Sequence, residues 1–248
     1  MKINNRRIGM SQNPFVIAEI SGNHDKNFKK LMKLIDAAKY SNADAVKIQT
    51  YKPNTITINS KRKEFKISNK KSLWNGSNLY DLYDKAHTPW EWHKDIFDYA
   101  KEKKILIFSS VFDETSIDLL EKLDCPCYKI ASFENNHYPL IELAISTKKP
   151  IIVSTGMASL KELKEIYNLF KKNKHSNFAF LKCTSTYPAN PVNSNLRTIS
   201  DLRKKFKCEI GLSDHTLGIG ASISSIVHGA SIIEKHITLS RKGNSVDS

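Results

Sequence analysis

The chain has 248 residues, with 39 lysines and arginines against 25 aspartates and glutamates and a formal net charge of +14. Because 40% of the residues are hydrophobic and 26% are charged, the composition is that of a folded globular protein, and general disorder is excluded. No apolar run approaches the ~18–20 residues that a bilayer span requires, and residues 1–13 lack the apolar stretch of a signal peptide. The sequence therefore predicts a cytoplasmic protein with no membrane partner.

The surplus of positive charge raises the question of nucleic-acid binding, which depends on how the lysines are distributed. Most of them are scattered over the polar faces of predicted helices, mixed with acidic residues and without interleaved aromatic side chains. No helix-turn-helix, RNA-binding or zinc-finger pattern accompanies them. We therefore predict no nucleic-acid partner. The four cysteines are predicted to be reduced and buried, because the chain shows no secretion signal.

Eight short apolar runs rich in β-branched residues recur along the chain and predict strands. They occupy residues 15–20, 45–49, 105–109, 128–132, 151–155, 178–184, 209–213 and 231–238. Between them lie segments with helical periodicity, such as the apolar positions Leu31, Leu34, Ile35 and Ala38. Eight alternating strand and helix units predict an α/β fold, the TIM (β/α)8 barrel with parallel strands. An open doubly wound sheet is the alternative, although no G-x-G-x-x-G motif follows the first strand.

Two connections depart from the regular alternation of strands and helices. Residues 51–87 form a connection far longer than a usual loop between a strand and a helix, and such loops are commonly lids or binding loops. We expect this connection to lie over the active site. Only residues 239–248 follow the eighth predicted strand, so the barrel is expected to lack most or all of its final helix.

Four predicted strands carry a lysine within an apolar run: Lys47, Lys129, Lys182 and Lys235. A desolvated ammonium group needs a counter-charge, so lysines that point into one barrel lumen would create a pocket for phosphate or carboxylate. Because side chains alternate along a strand, only some of the four are expected inside. We expect Lys47 and Lys129 in the lumen, and others to extend outward between helices.

Hydroxyl side chains stand at the ends of the same strands, where the active sites of such barrels lie. Five of them are serines, namely Ser110, Ser132, Ser154, Ser185 and Ser213. Each one alone is an ordinary turn or cap residue. Their recurrence at the rim beside lysines predicts hydrogen-bond donors for phosphate or carboxylate oxygens.

Two histidines, His215 and His236, stand at the ends of the last two predicted strands. Neighbouring strands would bring them together. Such a pair can bind a divalent cation and leave coordination positions open for water and substrate, with Glu234 or Asp214 as supporting partners. We predict a metal site at this pair.

These motifs together resemble the sialic acid synthase family over nearly the whole chain. The matching blocks are AEISGNH (18–24), VKIQT (46–50), YKIASFE (128–134), STGMA (154–158), CTSTYP (183–188), GLSDHT (211–216) and EKH (234–236). Within the long connection, LYDLY (79–83) and AHTPWEWH (86–93) are similar to the pseudaminic acid synthase branch of that family. The resemblance implies that phosphoenolpyruvate condenses with an acetamido sugar in its aldehyde form, giving a nine-carbon keto acid and phosphate.

The same resemblance implies roles for individual residues. Phosphoenolpyruvate would be held by the lumen lysines and rim serines, namely Lys47, Lys129, Ser110, Ser132, Ser154, Ser185 and Ser213. A divalent cation (Mn²⁺, Mg²⁺ or Co²⁺) on the histidine pair would polarise the sugar aldehyde. Glu19, Tyr187 and Asp247 would position the sugar, and Glu134 would assist proton or water handling. Glu19 and Glu134 are thus the predicted catalytic carboxylates.

The resemblance also implies a domain organisation. Residues 1–13 are expected to cap the barrel and residues 14–248 to form the catalytic domain, without the C-terminal antifreeze-like domain of the family. Full-length members are expected to be homodimers in which that domain reaches the sugar site of the other protomer. The final segment departs from the family at Ser240, where an aspartate is usual, so part of the sugar site is expected to be missing.

Three other interpretations stay open at this point. One is an N-acetylneuraminate or legionaminate synthase, which uses another acetamido sugar. Another is a Schiff-base aldolase that uses Lys182, since a desolvated lysine is a good amine nucleophile. The third is an inactive remnant that only binds phosphoenolpyruvate.

Overall fold

The computed structural model describes residues 1–68, 74–242 and 245, and its centre is a closed barrel of eight parallel strands. The strands are β1 (Lys2–Ile3) and β2 (Arg6–Arg7), which form a hairpin, and the barrel strands β3 (Phe15–Glu19), β4 (Ala45–Thr50), β5 (Leu106–Val111), β6 (Tyr128–Ile130), β7 (Ile151–Ser154), β8 (Phe178–Cys183), β9 (Glu209–Asp214) and β10 (Ile232–His236). They follow chain order around the barrel, and β10 closes it by pairing with β3. The predicted barrel is confirmed, and the open sheet is wrong.

The helices flank the barrel or lie in its connections. They are α1 (Phe28–Tyr40), α2 (Pro53–Ile56), α3 (Leu79–Ala86), α4 (His93–Glu102), α5 (Glu114–Glu121), α6 (Tyr138–Ser146), α7 (Leu160–Lys172), α8 (Arg197–Lys205) and α9 (Gly220–Val227). Local sequence fixes several helix starts. At α7, for example, the Ser159 hydroxyl accepts from the Glu162 N–H, and the Glu162 carboxylate accepts from the Ser159 N–H. The predicted apolar positions of α1 are all buried.

Strand ends differ by a few residues from the predicted ones, and β6 shows why. The prediction continued this strand to Ser132, whereas the structure ends it at Ile130. Ser132–Glu134 instead form a 3-10 turn. Ser132 and Glu134, the polar residues of this turn, lie at the carboxyl end of the barrel. The chain has left the sheet there, so its side chains are not buried on both faces as those of a barrel strand are.

The two irregular connections have the following structure. The segment 51–87 contains α2, a 3-10 turn at Lys63–Phe65 and α3, while its residues 69–73 lie outside the described ranges. After β10, the described residues 237–242 and 245 contain no helix or strand. Among all described helices, none is long and apolar enough to cross a bilayer.

The β1–β2 hairpin packs against the end of the barrel at which the strands begin. Ile3 and Ile8 are buried there. The backbone of Lys2 exchanges two hydrogen bonds of 2.9 Å with the side chain of Asn177, which precedes β8. The opposite end, where the strands finish, is left to the functional site.

Gly211 in β9 marks a place where the barrel interior has no spare volume. A Cβ atom at this position would lie 2.4 Å from the carbonyl oxygen of Ile232 and 2.7 Å from a methyl carbon of Leu181. Both distances are well below van der Waals contact, so the backbones of β9 and β10 would have to separate. A side chain at this position is therefore excluded by packing.

We expect Gly211→Ala to lower the free energy of unfolding by about 3 kcal/mol, the upper range for overpacking of a core. Gly220→Ala is the matched control, because nothing lies within 4 Å of a Cβ at that position. Alanine there should change stability by less than about 1 kcal/mol, in the stabilising direction, since Gly220 begins α9. Urea unfolding followed by circular dichroism measures both, and equal stabilities would contradict the packing argument.

A buried histidine, His93, joins α4 to two barrel strands. Its Nδ1–H donates to the Pro89 carbonyl, and its Nε2 accepts from the Thr50 hydroxyl at 2.8 Å. Thr50 in turn lies 2.7 Å from the Ser109 hydroxyl. Burial lowers the pKa of His93 from 6.5 to about 4, so the ring stays neutral in the folded state. In the unfolded chain the same ring takes up a proton near its ordinary pKa.

The contribution of His93 to stability is therefore complete above pH 6.5 and is lost as the pH falls towards 4. We expect His93 alone to lower the free energy of unfolding by about 2 kcal/mol at pH 5 relative to pH 7. The difference between wild type and His93→Gln, measured by urea unfolding at both pH values, should show it. His137→Gln, a change at an exposed histidine, should keep the wild-type pH dependence. If His93→Gln kept the wild-type dependence of stability on pH, the assignment of this dependence to His93 would be refuted.

Candidate active site

The carboxyl ends of the strands surround a small polar cavity of about 40 Å³, and each of the eight barrel strands contributes to its lining. The lining residues are Glu19, Lys47, Gln49, Ser110, Lys129, Ala131, Ser132, Ser154, Cys183, Tyr187, Ser213, His215, Glu234 and His236. Active sites of parallel barrels lie at this end. The cavity is therefore the candidate active site.

Alternation along the strands decides which lysines reach the cavity. Lys47 and Lys129 point inward and are 3% and 1% exposed. Lys182 and Lys235 follow or precede lining residues by one position and so point away. Lys182 donates to the Thr184 hydroxyl, and Lys235 pairs with Asp214 at 2.9 Å. The lumen thus holds two of the four strand lysines.

Glu234 joins the two inward lysines. Its carboxylate oxygens lie 3.2 Å from Lys47 Nζ and 3.6 Å from Lys129 Nζ, and it accepts from the Ser213 hydroxyl at 3.0 Å. Lys47 Nζ also lies 3.1 Å from a Glu19 oxygen. Two cations and two carboxylates therefore share a space that is almost closed to water.

These neighbours give the two carboxyl groups different pKa values. Burial raises the pKa of Glu19 to about 7, against the opposing charge of Lys47. Burial also acts to raise the pKa of Glu234, but Lys129 and Lys47 outweigh it and lower that pKa to about 2. Glu234 is therefore ionised at neutral pH, while Glu19 is near the midpoint of its titration. With Glu19 protonated, the lysines exceed the carboxylates in charge.

The two lysines also differ from each other. Burial acts to lower the pKa of Lys47, but Glu19 and Glu234 outweigh it and raise that pKa. At Lys129, burial is the dominant influence and lowers the pKa. Lys129 has the weaker protein counter-charge and would gain more from a bound anion.

Four of the five predicted serines line the cavity: Ser110, Ser132, Ser154 and Ser213. Two of them already bond to lysines, since Lys47 Nζ donates to the Ser110 hydroxyl at 2.9 Å and Lys129 Nζ to Ser154 at 2.7 Å. Ser185 is not among the lining residues. It lies in the turn after β8, where its hydroxyl is 3.6 Å from the Cys183 sulfur.

Gly156 keeps the rim beside these serines narrow. Its N–H donates to the Ser132 hydroxyl at 3.2 Å. A Cβ at this position would lie 2.6 Å from the Ser132 oxygen and 2.1 Å from the Ser185 oxygen. The close approach of these two hydroxyls to the backbone therefore requires glycine.

The predicted metal pair lies on the β9–β10 side of the cavity. The rings of His215 and His236 are 5.3 Å apart between centroids, and Tyr187 packs on His215 at 4.2 Å. The Nδ1 of His215 donates to the Thr184 carbonyl at 2.9 Å, which leaves Nε2 as the atom with a free lone pair. That tautomer suits a metal ligand, since ligating histidines commonly donate through the other nitrogen.

The donor set here is small. Among the described residues, no group of three or more histidine, cysteine, aspartate or glutamate side chains is arranged to hold a metal ion. Two imidazoles thus fit a divalent cation that takes its remaining ligands from water and substrate. Asp214, predicted as a supporting partner, points away from the cavity towards Lys235, Thr216 and Ser222.

Glu134 stands beyond the cavity lining, in the 3-10 turn after β6. Burial raises its pKa to about 7. Its Oε2 is buried and has no hydrogen-bond partner in the part of the chain that the structure describes. Asp247, the third predicted sugar contact, lies outside the described residues.

Sequence reasoning missed several lining residues, above all Gln49, Cys183 and the role of Glu234 between the lysines. A signal for two of them was present. Gln49 follows Lys47 by two positions and Glu234 precedes His236 by two, so each shares a strand face with a predicted site residue. Applying the period of two to every strand would have found them.

Comparison with known proteins agrees with this geometry. A pseudaminic acid synthase of Campylobacter jejuni is 46% identical over 234 residues, which are 94% of this chain and 68% of that protein. The N,N'-diacetyllegionaminic acid synthase of the same organism is 36% identical over 236 residues, 94% of this chain and 70% of that protein.

Among solved structures, an N-acetylneuraminic acid (sialic acid) synthetase from Leptospira borgpetersenii, in complex with citrate, superposes with a TM-score of 0.89 at 30% identity. The superposition covers 100% of this chain and 81% of that one. The NeuB family model matches residues 34–248. The chain therefore belongs to the NeuB family, whose members are phosphoenolpyruvate-dependent synthases of nonulosonic acids.

Proposed function

We propose that this enzyme is a pseudaminic acid synthase, which condenses phosphoenolpyruvate with 2,4-diacetamido-2,4,6-trideoxy-altrose to give a nine-carbon nonulosonic acid and phosphate. The observation that carries the proposal is the lumen, in which Lys47 and Lys129 stand beside four serine hydroxyls and next to two histidines. The choice of sugar is supported by the higher identity to the pseudaminic than to the legionaminic acid synthase, 46% against 36%.

Phosphoenolpyruvate binds through its carboxylate and phosphate groups in this proposal. Lys47 and Lys129 supply the positive charges, and the hydroxyls of Ser110, Ser132, Ser154, Ser185 and Ser213 donate to its oxygens. The bound anion and Glu234 then together balance the positive charges of both lysines. Charge-assisted hydrogen bonds of this kind are the stronger ones in proteins, and they hold the enol carbon at one place in the lumen.

The sugar occupies the mouth of the barrel above the enol. Glu19 and Tyr187 position it, together with Asp247, and Tyr187 keeps the His215 ring in place by packing against it. His215 and His236 would hold a divalent cation, Mn²⁺, Mg²⁺ or Co²⁺. When bound, such an ion supplies Lewis-acid polarisation of the sugar aldehyde.

The reaction balances without a further co-reactant. The C3 atom of the enol bonds to the aldehyde carbon, whose oxygen takes up a proton, and water adds at C2. The tetrahedral intermediate then loses phosphate by cleavage of the bond between C2 and oxygen. Glu134 accepts a proton from the water in this proposal, which its pKa of about 7 supports.

The domain organisation is proposed as follows. Residues 1–13 cap the barrel, which is supported by the burial of Ile3 and Ile8. Residues 14–248 form the catalytic domain. The enzyme acts in the cytoplasm on two small substrates, without nucleic acid or membrane.

We expect the purified chain, with Mn²⁺, to release phosphate from phosphoenolpyruvate faster with the diacetamido altrose than with N-acetylmannosamine, which has one acetamido group. Chelation with EDTA should stop the release. Faster release with N-acetylmannosamine would favour an N-acetylneuraminate synthase. Binding of phosphoenolpyruvate without release for any sugar would show a remnant that only binds it. A borohydride-trapped adduct with pyruvate would instead indicate a Schiff-base aldolase.

We expect Lys129→Met to raise the dissociation constant of phosphoenolpyruvate by about 10- to 100-fold, because one hydrogen bond to a charged group contributes about 1.5–3 kcal/mol. Lys182→Met is the matched control. Lys182 is also a buried strand lysine, 7% exposed, but it points away from the cavity. Isothermal titration calorimetry measures both constants. Similar losses in the two variants would mean that the lumen is not the phosphoenolpyruvate site.

A further inference from the structure

The end of β7 extends past the end of β6, the strand beside it. Ile130 and Val153 are the last paired residues of these two strands, and the chain after Ile130 then leaves the sheet. Residues 154–156 therefore lie beyond the end of β6, while on their other side the Thr155 N–H still donates to the Leu181 carbonyl of β8 at 2.9 Å. Successive residues of an extended chain face opposite neighbours. The carbonyl groups on either side of Thr155 consequently face the gap that β6 leaves.

The side chain of Asn135 occupies this gap. Its Nδ2 donates to the Ser154 carbonyl at 3.2 Å and to the Gly156 carbonyl at 3.0 Å, and the residue is only 4% exposed. A primary amide nitrogen carries two N–H donors, so one asparagine can satisfy two carbonyl groups that stand two residues apart. Buried carbonyl groups need such partners, because leaving them unpaired is costly. We call this arrangement the Asn135 clamp.

The clamped backbone orients two hydroxyl groups of the cavity. The Gly156 N–H donates to the Ser132 hydroxyl at 3.2 Å, and Lys129 Nζ donates to the Ser154 hydroxyl at 2.7 Å. Both serines line the cavity. A hydroxyl whose oxygen accepts from the protein can still donate its own proton. These contacts therefore prepare both serines to donate to an acceptor in the cavity.

The backbone of Gly156 lies very close to the neighbouring hydroxyls. A Cβ atom at this position would lie 2.6 Å from the Ser132 oxygen and 2.1 Å from the Ser185 oxygen. A shift of this backbone towards the rim would displace both hydroxyls, because there is no space to absorb it. Ser154, two residues earlier, would move with it. The end of β7 therefore sets the place of three of the five predicted serines.

We propose that Asn135 is a positioning residue for phosphoenolpyruvate: the Asn135 clamp holds the end of β7 where Ser132 and Ser154 can donate to the oxygens of this substrate. This inference rests on the proposed function. Asn135 is not among the residues that line the cavity, so it acts through the backbone of residues 154–156. The histidine pair lies on the β9–β10 side of the cavity, and binding of the metal and the sugar does not depend on the clamp.

The test uses Asn135→Leu, which nearly keeps the size of the side chain, removes both donors and adds no charge. We expect the dissociation constant of phosphoenolpyruvate to rise about 10-fold, because displaced hydroxyls donate poorly to the bound anion. Isothermal titration calorimetry well below the thermal midpoint of the variant measures this constant. In turnover, the KM for phosphoenolpyruvate should rise by a similar factor, while the KM for the sugar stays unchanged.

Two further leucine variants are the controls. Asn177→Leu also removes two hydrogen bonds to the backbone, both to Lys2, but at the opposite end of the barrel. It should lower the thermal midpoint, as Asn135→Leu does, and keep the wild-type dissociation constant. Asn136→Leu changes the exposed neighbour of Asn135 and should match wild type in both measurements. If Asn135→Leu fails to fold, Asn135→Ser, which is too short to reach both carbonyls, should raise the dissociation constant at least about 3-fold.

The outcomes separate this inference from the proposed function. If Asn135→Leu binds phosphoenolpyruvate as tightly as wild type, the positioning role is wrong, while phosphate release by wild type upholds the synthase assignment. If Asn135→Leu weakens binding but wild type releases no phosphate with any sugar, the positioning role stands and the synthase assignment fails. If Asn177→Leu weakens binding as much as Asn135→Leu, the loss reflects stability alone and the positioning role is wrong. If wild type binds no phosphoenolpyruvate, both are wrong.

Discussion

The functional site depends on one ion-paired carboxylate, Glu234, which lies between the ammonium groups of Lys47 and Lys129. All three side chains are almost fully buried. Removing one member of a buried ion pair commonly costs about 3–5 kcal/mol, because the remaining charge is left without water or partner. The lysines can therefore stay in the lumen only while β4, β6 and β10 hold them at these distances from Glu234.

In the proposed function, the same pairing prepares the lumen for an anionic substrate. Glu234 is held ionised, whereas Glu19 can be neutral near pH 7, so the lumen can hold an excess of positive charge. Ser110 and Ser154 already orient the two ammonium groups. Because these groups are fixed before binding, an incoming phosphate or carboxylate meets charges that need little reorganisation. The free-energy cost of removing the lysine ammonium groups from water is therefore incurred during folding and not during binding.

Two walls of different origin surround the mouth of the barrel. On one side, Tyr187, in the connection after β8, packs on His215 next to His236, at the ends of β9 and β10. On the other side, Tyr83 of α3 meets Tyr51, which follows β4, edge to face at 6.0 Å between ring centroids. The first wall belongs to the strand ends, and the second includes a helix inserted into a long connection.

The sequence by itself determined the eight strands, the parallel barrel and the inward direction of Lys47 and Lys129, because periodicity and alternation are local properties. Only the tertiary structure decided that Glu234 is the shared counter-charge of Lys47 and Lys129. These contacts join elements far apart in the chain, and closure of the barrel alone brings them together. It also decided the raised pKa of Glu19 and the lowered pKa of Glu234, since two residues of the same type acquire opposite pKa shifts from burial and neighbouring charge, which no spacing in a sequence records.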